Sequence, residues 1–243
     1  MKTKWGISGS VLKWFAVITM AIDHFGASIL ETYVMNVWGR SPLGNLFSDH
    51  WNELLRVDRI LRYIGRPAFP IFCFLLVEGF LHTRDVKKYA MRLGIFALIS
   101  EIPFDLAVRG KFFDWQYQNV YVTLLLGLLT IWVLKTQRDV WYVRLTVTAT
   151  GCGLGELLHC DYGAMGVALI VVLYVMRESR FQQCITGAIC TYWELPAPLA
   201  FIPIWFYNGE RGRQPKWFFY WFYPVHLLIY GIIGSWILPG ILL

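Results

Sequence analysis

A chain of 243 residues could hold one large domain or two small ones, but 57% of it is hydrophobic and 17% is aromatic, with a mean hydropathy of +0.49. That balance excludes an ordinary soluble fold. The net charge of +6 and isoelectric point near 9.1 do not point to nucleic acid, because basic residues routinely mark the cytoplasmic loops and headgroup contacts of membrane proteins.

Crossing about 30 Å of hydrocarbon takes a helix of about 20 apolar residues. Runs of that kind fall at 10–33, 66–82, 89–108, 119–135, 141–158, 162–177, 184–206 and 219–239. They predict an all-α, polytopic transmembrane bundle of about eight spans with a polar interior cavity, forming a single domain over 1–243. The first run follows "MKTK" but lacks a small-x-small cleavage site and carries Asp23 and His24, so it is expected to be a retained span. Residues 34–62 predict an amphipathic interfacial helix from the spacing of Leu54, Leu55, Ile60 and Leu61. The five cysteines, at 73, 152, 160, 184 and 190, lie mostly in apolar runs without metal-ligand spacing and read as small core residues.

With eight spans and a cytoplasmic N-terminus, ten basic residues fall inside, Lys2, Lys4 and Arg138 among them, and ten outside. The outer set is Arg40, Arg56, Arg59, Arg62, Arg66, Arg109, Lys111, Arg211, Arg213 and Lys216. The positive-inside rule then decides nothing. Two outer clusters, "VDRILRYIGR" and "NGERGRQPK", read either as headgroup contacts or as holders of an anionic ligand.

Each ionisable group within a span marks a functional-site hypothesis unless it is paired or interfacial. Lys13 and Glu31 lie eleven before and seven after His24. At about 100° per residue both fall within roughly 20° of its azimuth, which predicts one polar stripe. Asp23 points about 100° away, toward another helix or a neighbouring arginine. Arg66 sits beside Pro67 and Pro70 at a helix start, Glu78 lies deeper in that helix, and Glu101 and Asp105 flank Pro103 one turn apart with Arg92 earlier in the same span. Asn119 opens the next span, Glu156, His159 and Asp161 crowd the "HCDYG" turn, and His226 follows Pro224 in the last helix. No two histidines share ligand spacing, so no metal is expected.

An imidazole can take a proton from an attacking amine or hydroxyl at neutral pH, and guanidinium groups grip phosphate. Together they suit transfer from a phosphorylated donor such as a coenzyme A ester. Neither a G-x-x-x-x-G-K-[ST] loop nor a G-x-S-x-G elbow is present. The other function class compatible with a polar stripe is a proton-coupled or small-anion membrane transporter; against it stands the lack of matching interrupted helices in two halves.

The blocks "LKWFAVITMAIDHFG", "YIGRPAFPIFCFLLVEGFLHTRDVKKYAMRLGIFALISEIPFDLA", "QNVYVTLLLGLL", "DYGAMGV", "FYNGERG" and "FYPVHLLIY" resemble, in order and across nearly the whole chain, those of the TraX family. That family is named for the conjugation protein that acetylates the N-terminus of F pilin. It is similar to a wider group of membrane acyltransferases, including surface-glycan O-acetyltransferases and the lysosomal heparan N-acetyltransferase. The resemblance implies a bacterial, multi-pass inner-membrane acetyltransferase with acetyl-CoA as donor. It implies a first-helix His as the acting group, here His24, supported three turns earlier by Lys13. The acceptor, a pilin N-terminus or a glycan, stays open, as do membrane side and oligomeric state. The expected site is therefore His24, Asp23 and Lys13 for catalysis, with Arg66, Arg92, Arg211 and Asn208 on the donor. Glu78, Glu101, Asp105, Asn119 and His226 complete the cavity. Membrane lipids are the other expected partner.

Overall fold

The computed structural model describes residues 6–39, 48–137 and 140–242, so Lys2, Lys4, Arg40 and Arg138 of the charge balance, with the middle of the first loop, lie outside the described residues. Within them the chain is all helical, with β-contacts limited to isolated bridges pairing Ile7 with Tyr207 and Gln118 with Cys160.

Helix α1 (Gly9–Phe25) begins where the Ser8 hydroxyl accepts the Val11 N–H, satisfying one of the donors that a helix start leaves free. It runs on as a π-helix over Gly26–Trp38. Thr32 and Asn36 hold that wider register by donating to carbonyls five residues back, Ala27 and Glu31. The change of pitch takes Glu31 off the predicted stripe: its side chain is half exposed and its carboxylate sits 3.8 Å from Arg62 Nε.

After α2 (Trp51–Gly65) the chain breaks at Arg66–Pro67, where proline has no N–H to give, and resumes as α3 (Ala68–His82). α2 is amphipathic as predicted and packs on α1 and its π extension. α3 is apolar on all sides because it runs through the centre of the bundle: Ile71, Cys73, Phe74, Val77 and Phe80 are fully buried. α4 (Val86–Phe104) ends in a π turn, Asp105–Arg109, and a loop leads to α5 (Val120–Thr136). α6 (Trp141–Leu157), α7 (Gly163–Val175) and α8 (Arg180–Cys190) follow. The predicted span 184–206 is not one helix. α8 stops at Cys190, short 3₁₀ turns cover Tyr192–Glu194 and Ala197–Ala200 where Pro196 and Pro198 forbid an α ladder, and α9 is only Phe201–Trp205. The last long helix is α10 (Lys216–Ile232), which continues through Ile233–Ile237 into α11 (Leu238–Leu242).

Among the described residues three apolar helical stretches are long enough to cross a membrane, Gly9–Val37, Trp51–His82 and Trp217–Gly240, and Val120–Thr136 and Gly163–Val175 are shorter apolar helices. Large apolar side chains such as Leu98 and Trp236 stand more than 70% exposed on the outside of the bundle, as a lipid-facing surface requires.

The end of the bundle at Gly9 may be taken as its near end. There Ile7 N–H donates to the Phe206 carbonyl at 2.8 Å, Asn208 N–H to Ile7 at 3.0 Å and Gly9 N–H to Glu210 at 2.8 Å. The ends of α3, α5 and α7 gather at the same place, with Lys135 Nζ 5.1 Å from the Phe80 ring centre and Phe80 5.7 Å from Tyr174. At the far end Gln118 and Asp161 clip the α6–α7 turn to the start of α5 through paired backbone bonds.

Candidate functional site

A cavity of about 150 Å³ opens among α1, the α2–α3 break, the far end of α4, the start of α5, the α6–α7 turn and α10. Its polar wall consists of Asp23, His24, Arg62, Arg66, Tyr117, Asp161, Tyr162 and Tyr223.

His24 is placed by α1 and held by the last helix. Its Nδ1 lies 2.7 Å from His226 Nε2, with the rings stacked at 7°. His226 Nδ1 in turn lies 2.6 Å from the Phe222 carbonyl. A carbonyl only accepts, so His226 Nδ1 carries the proton; for neutral rings its Nε2 is then the acceptor, and His24 Nδ1–H donates to it. The remaining nitrogen, His24 Nε2, keeps its lone pair. This is how a second residue fixes the tautomer of a working histidine.

Asp23 points away from His24, as helix geometry predicts, and meets Arg62, whose Nη1 donates to Asp23 Oδ2 at 2.5 Å. The two helices can come this close only because residue 65 is glycine: a Cβ there would lie 2.0 Å from Asp23 Cβ. Arg66 donates to Glu194 Oε1 at 2.7 Å, which ties the tip of the 180–207 excursion to the cavity rim.

Asp161 sits in the α6–α7 turn, accepting the Tyr117 hydroxyl at 3.0 Å. Burial pushes its carboxyl above the usual range, opposed by that hydroxyl and by Arg62 and Arg66. The turn also holds His159 and Tyr162 at positive φ, 50° and 63°. A bulky residue in this region is strained; here the strain is held by Tyr162 stacking on Phe69 at 3.6 Å between ring centres and by Thr123 donating to the Asp161 carbonyl.

Of the residues expected from sequence, the fold therefore brings together His24, Asp23, Arg66 and His226. It does not bring in the others. Lys13 turns to the near-end loop, donating to Gln214 Oε1 at 3.2 Å and lying over Phe219. Arg92 lies over Tyr89 in α4 with its Nε buried and without a hydrogen-bond partner. Arg211 is exposed in the near-end loop, where its carbonyl accepts from Gln214, and Asn208 caps the same loop by accepting the Glu210 N–H at 2.9 Å. Glu78 pairs loosely with Arg180 at 3.9 Å near the opposite end of α3. Asn119 donates to Glu101 Oε2 where α4 meets α5, leaving Glu101 Oε1 buried without a hydrogen-bond partner, and caps α5 by accepting the Tyr121 N–H. Asp105 accepts the Asp114 N–H and so closes the α4–α5 loop. His159 stands exposed in its turn.

Arg62 and Asp161 are the charged cavity residues absent from the expected site, and Tyr117, Tyr162 and Tyr223 the tyrosines. The signals of the charged two were there: Arg62 and Arg66 stand one turn apart in the suspicious basic cluster, and Asp161 lies in the crowded "HCDYG" turn.

An all-helical chain with three membrane-length apolar stretches around a polar cavity defines a helical membrane protein. It belongs to the TraX family, described as "TraX protein", whose pattern it matches over residues 8–234. It is similar to a curated protein of Dichelobacter nodosus described as "Probable fimbrial assembly protein FimC, serogroup H1", with 29% identity over 248 aligned positions that cover 90% of this chain and 92% of that one. No solved structure matches it.

Proposed function

We propose that this chain is a bacterial inner-membrane acetyltransferase that moves an acetyl group from acetyl-CoA to an amine or hydroxyl acceptor, with His24 Nε2 as general base. The observation that carries this reading is the Phe222–His226–His24 relay, which leaves one imidazole nitrogen unprotonated at a cavity that also holds Arg62 and Arg66.

The acceptor's N–H or O–H gives its proton to His24 Nε2 as the nucleophile attacks the thioester carbonyl carbon. The tetrahedral intermediate collapses, the C–S bond breaks, and the departing thiolate takes the proton back from the imidazolium. The products are the acetylated acceptor and free coenzyme A. His226 stabilises the transient charge on His24 by accepting from its Nδ1–H. The cavity has room for the acetyl end of the donor but not for its nucleotide. Asp23 and Arg62 hold one another and so keep the wall charged and in place. The description of the Dichelobacter relative supports an acceptor belonging to fimbrial or pilus assembly, with the N-terminal amine of a pilin the simplest chemical choice.

The test is acetyl transfer from radiolabelled acetyl-CoA in reconstituted membranes. A folded His24→Ala variant should lose about 10²- to 10⁴-fold in rate; full activity there would remove the reading. Saturating acetyl-CoA should also raise the melting temperature of the purified wild-type protein.

A further inference from the structure

Residues 180–207 leave the near end of the bundle and come back to it. The Arg180 guanidinium lies 5.3 Å from the Tyr207 ring, and Tyr207 is itself bridged to Ile7 at the start of α1. Midway, Glu194 reaches only as far as Arg66 at the cavity rim. The irregular turns between α8 and α9 are lined by buried Thr191, Ala197 and Ala200. Non-helical backbone at membrane depth is tolerated where protein covers it, which here is one side of the turns only, since Tyr192, Trp193, Leu195 and Leu199 on the other are exposed.

We propose that the chain crosses the bilayer seven times, through α1, α2–α3, α4, α5, α6, α7 and α10, of which α1, α2–α3 and α10 with their continuations have membrane length by themselves, while shorter helices such as the largely buried α7 cross packed within the bundle. Residues 180–207 form a re-entrant hairpin, the near end faces the cytoplasm, and the His24 cavity belongs to the opposite, extracytoplasmic half, so the acceptor is one presented on that side.

The hairpin changes the charge balance. An excursion that returns is not a crossing, so Arg211, Arg213 and Lys216 move to the side of the N-terminus, where Ser10 Oγ donating to the Arg213 carbonyl at 2.6 Å confirms their position. Among the described residues the near end then has Arg84, Lys87 and Lys88 after α3, Lys135 and Arg144 between α5 and α6, and Arg177 and Arg180 between α7 and α8, besides those three. Outside the cavity the far end keeps only Arg56, Arg59, Arg109 and Lys111, ten against four. An excess of lysine and arginine in short loops marks the cytoplasmic side. The cavity is walled by Phe104, Val108, Tyr117 and Asp161, all from far-end segments, which places its mouth away from that side.

The statement about the acceptor rests on His24 as the reacting group; the topology does not, and it can be measured without any activity. Gln116 and Glu210 are exposed loop residues, on opposite sides in this arrangement and on the same side if 184–206 crosses. Gln116→Cys should react with a membrane-impermeant maleimide in intact cells as fully as after permeabilisation, and Glu210→Cys only after permeabilisation, with the unsubstituted chain as blank. Matching behaviour of the two would overturn the hairpin, and the reversed pattern would overturn the orientation. Phe112→Cys and Arg213→Cys provide a second pair should either variant fail to accumulate. If the labelling holds and His24→Ala still transfers acetyl, the enzymatic reading fails and the topology stands.

Discussion

At His24 the choice of which nitrogen keeps its lone pair is made by a residue 202 positions later in the chain. Removing that partner should therefore cost more than packing. His226→Ala leaves His24 Nδ1 free to lose its proton and the ring free to turn, and acetyl transfer should fall about 10- to 100-fold. Added imidazole, small enough to enter the vacated space, should restore part of the rate; a purely structural role for His226 would show a loss that imidazole does not touch. The sequence made His24 prominent because an ionisable group in an apolar helix has to be explained. It also aimed Asp23 correctly, since Arg62 is the neighbouring arginine that helix geometry calls for. It could not reveal the His24–His226 pair, because no local periodicity relates residues on the first and last helices.

At the scale of elements, two departures from regular helix explain one misplaced side chain, Glu31, and one misplaced span, 184–206. The π segment after Phe25 breaks the projection at 100° per residue, so Glu31 leaves the stripe. The prolines at 196 and 198 turn an apolar run of spanning length into a hairpin, and hydropathy alone cannot tell the two apart. Existence and order of the remaining long helices followed directly from apolar run length. The α1–α2 contact at Gly65 is a sharp test of the site's wall: Gly65→Ala drives a methyl into Asp23. It should separate Asp23 from Arg62, cut acetyl transfer at least about tenfold, and lower the melting temperature, whereas Ala at exposed Gly153, where a methyl meets nothing, should do neither. The α4–α5 loop is held differently. Asp114 accepts the Gln116 N–H at 3.1 Å and the Lys111 ammonium at 3.1 Å, and these hold its carboxyl below the usual range. A depressed folded-state value means that the ionised form is favoured by folding. Its stabilisation is complete above the ordinary carboxylate value of about 4 and fades as pH drops through the depressed one. Asp114→Asn should accordingly melt lower than wild type at pH 7 in detergent, with the gap closing toward pH 2.

Across the whole molecule the amino-terminal segment is tied to the end of the hairpin, through Ile7 to Phe206 and Asn208 and through Gly9 to Glu210. The same loop, read as a ligand site from sequence, makes that tie through backbone groups, and its exposed arginines count toward the charge of the near end. Long-range closure of this kind is invisible to any window along the chain; it emerges only when ends far apart in sequence share one end of the bundle. It also has a consequence for biosynthesis. A ribosome must add 202 residues after His24 before His226 exists, and until then His24 has no partner to set its proton. A prematurely terminated chain can insert its early helices but carries only half of the imidazole pair. The arrangement proposed for acetyl transfer is thus completed only once α10 has been made and packed against α1.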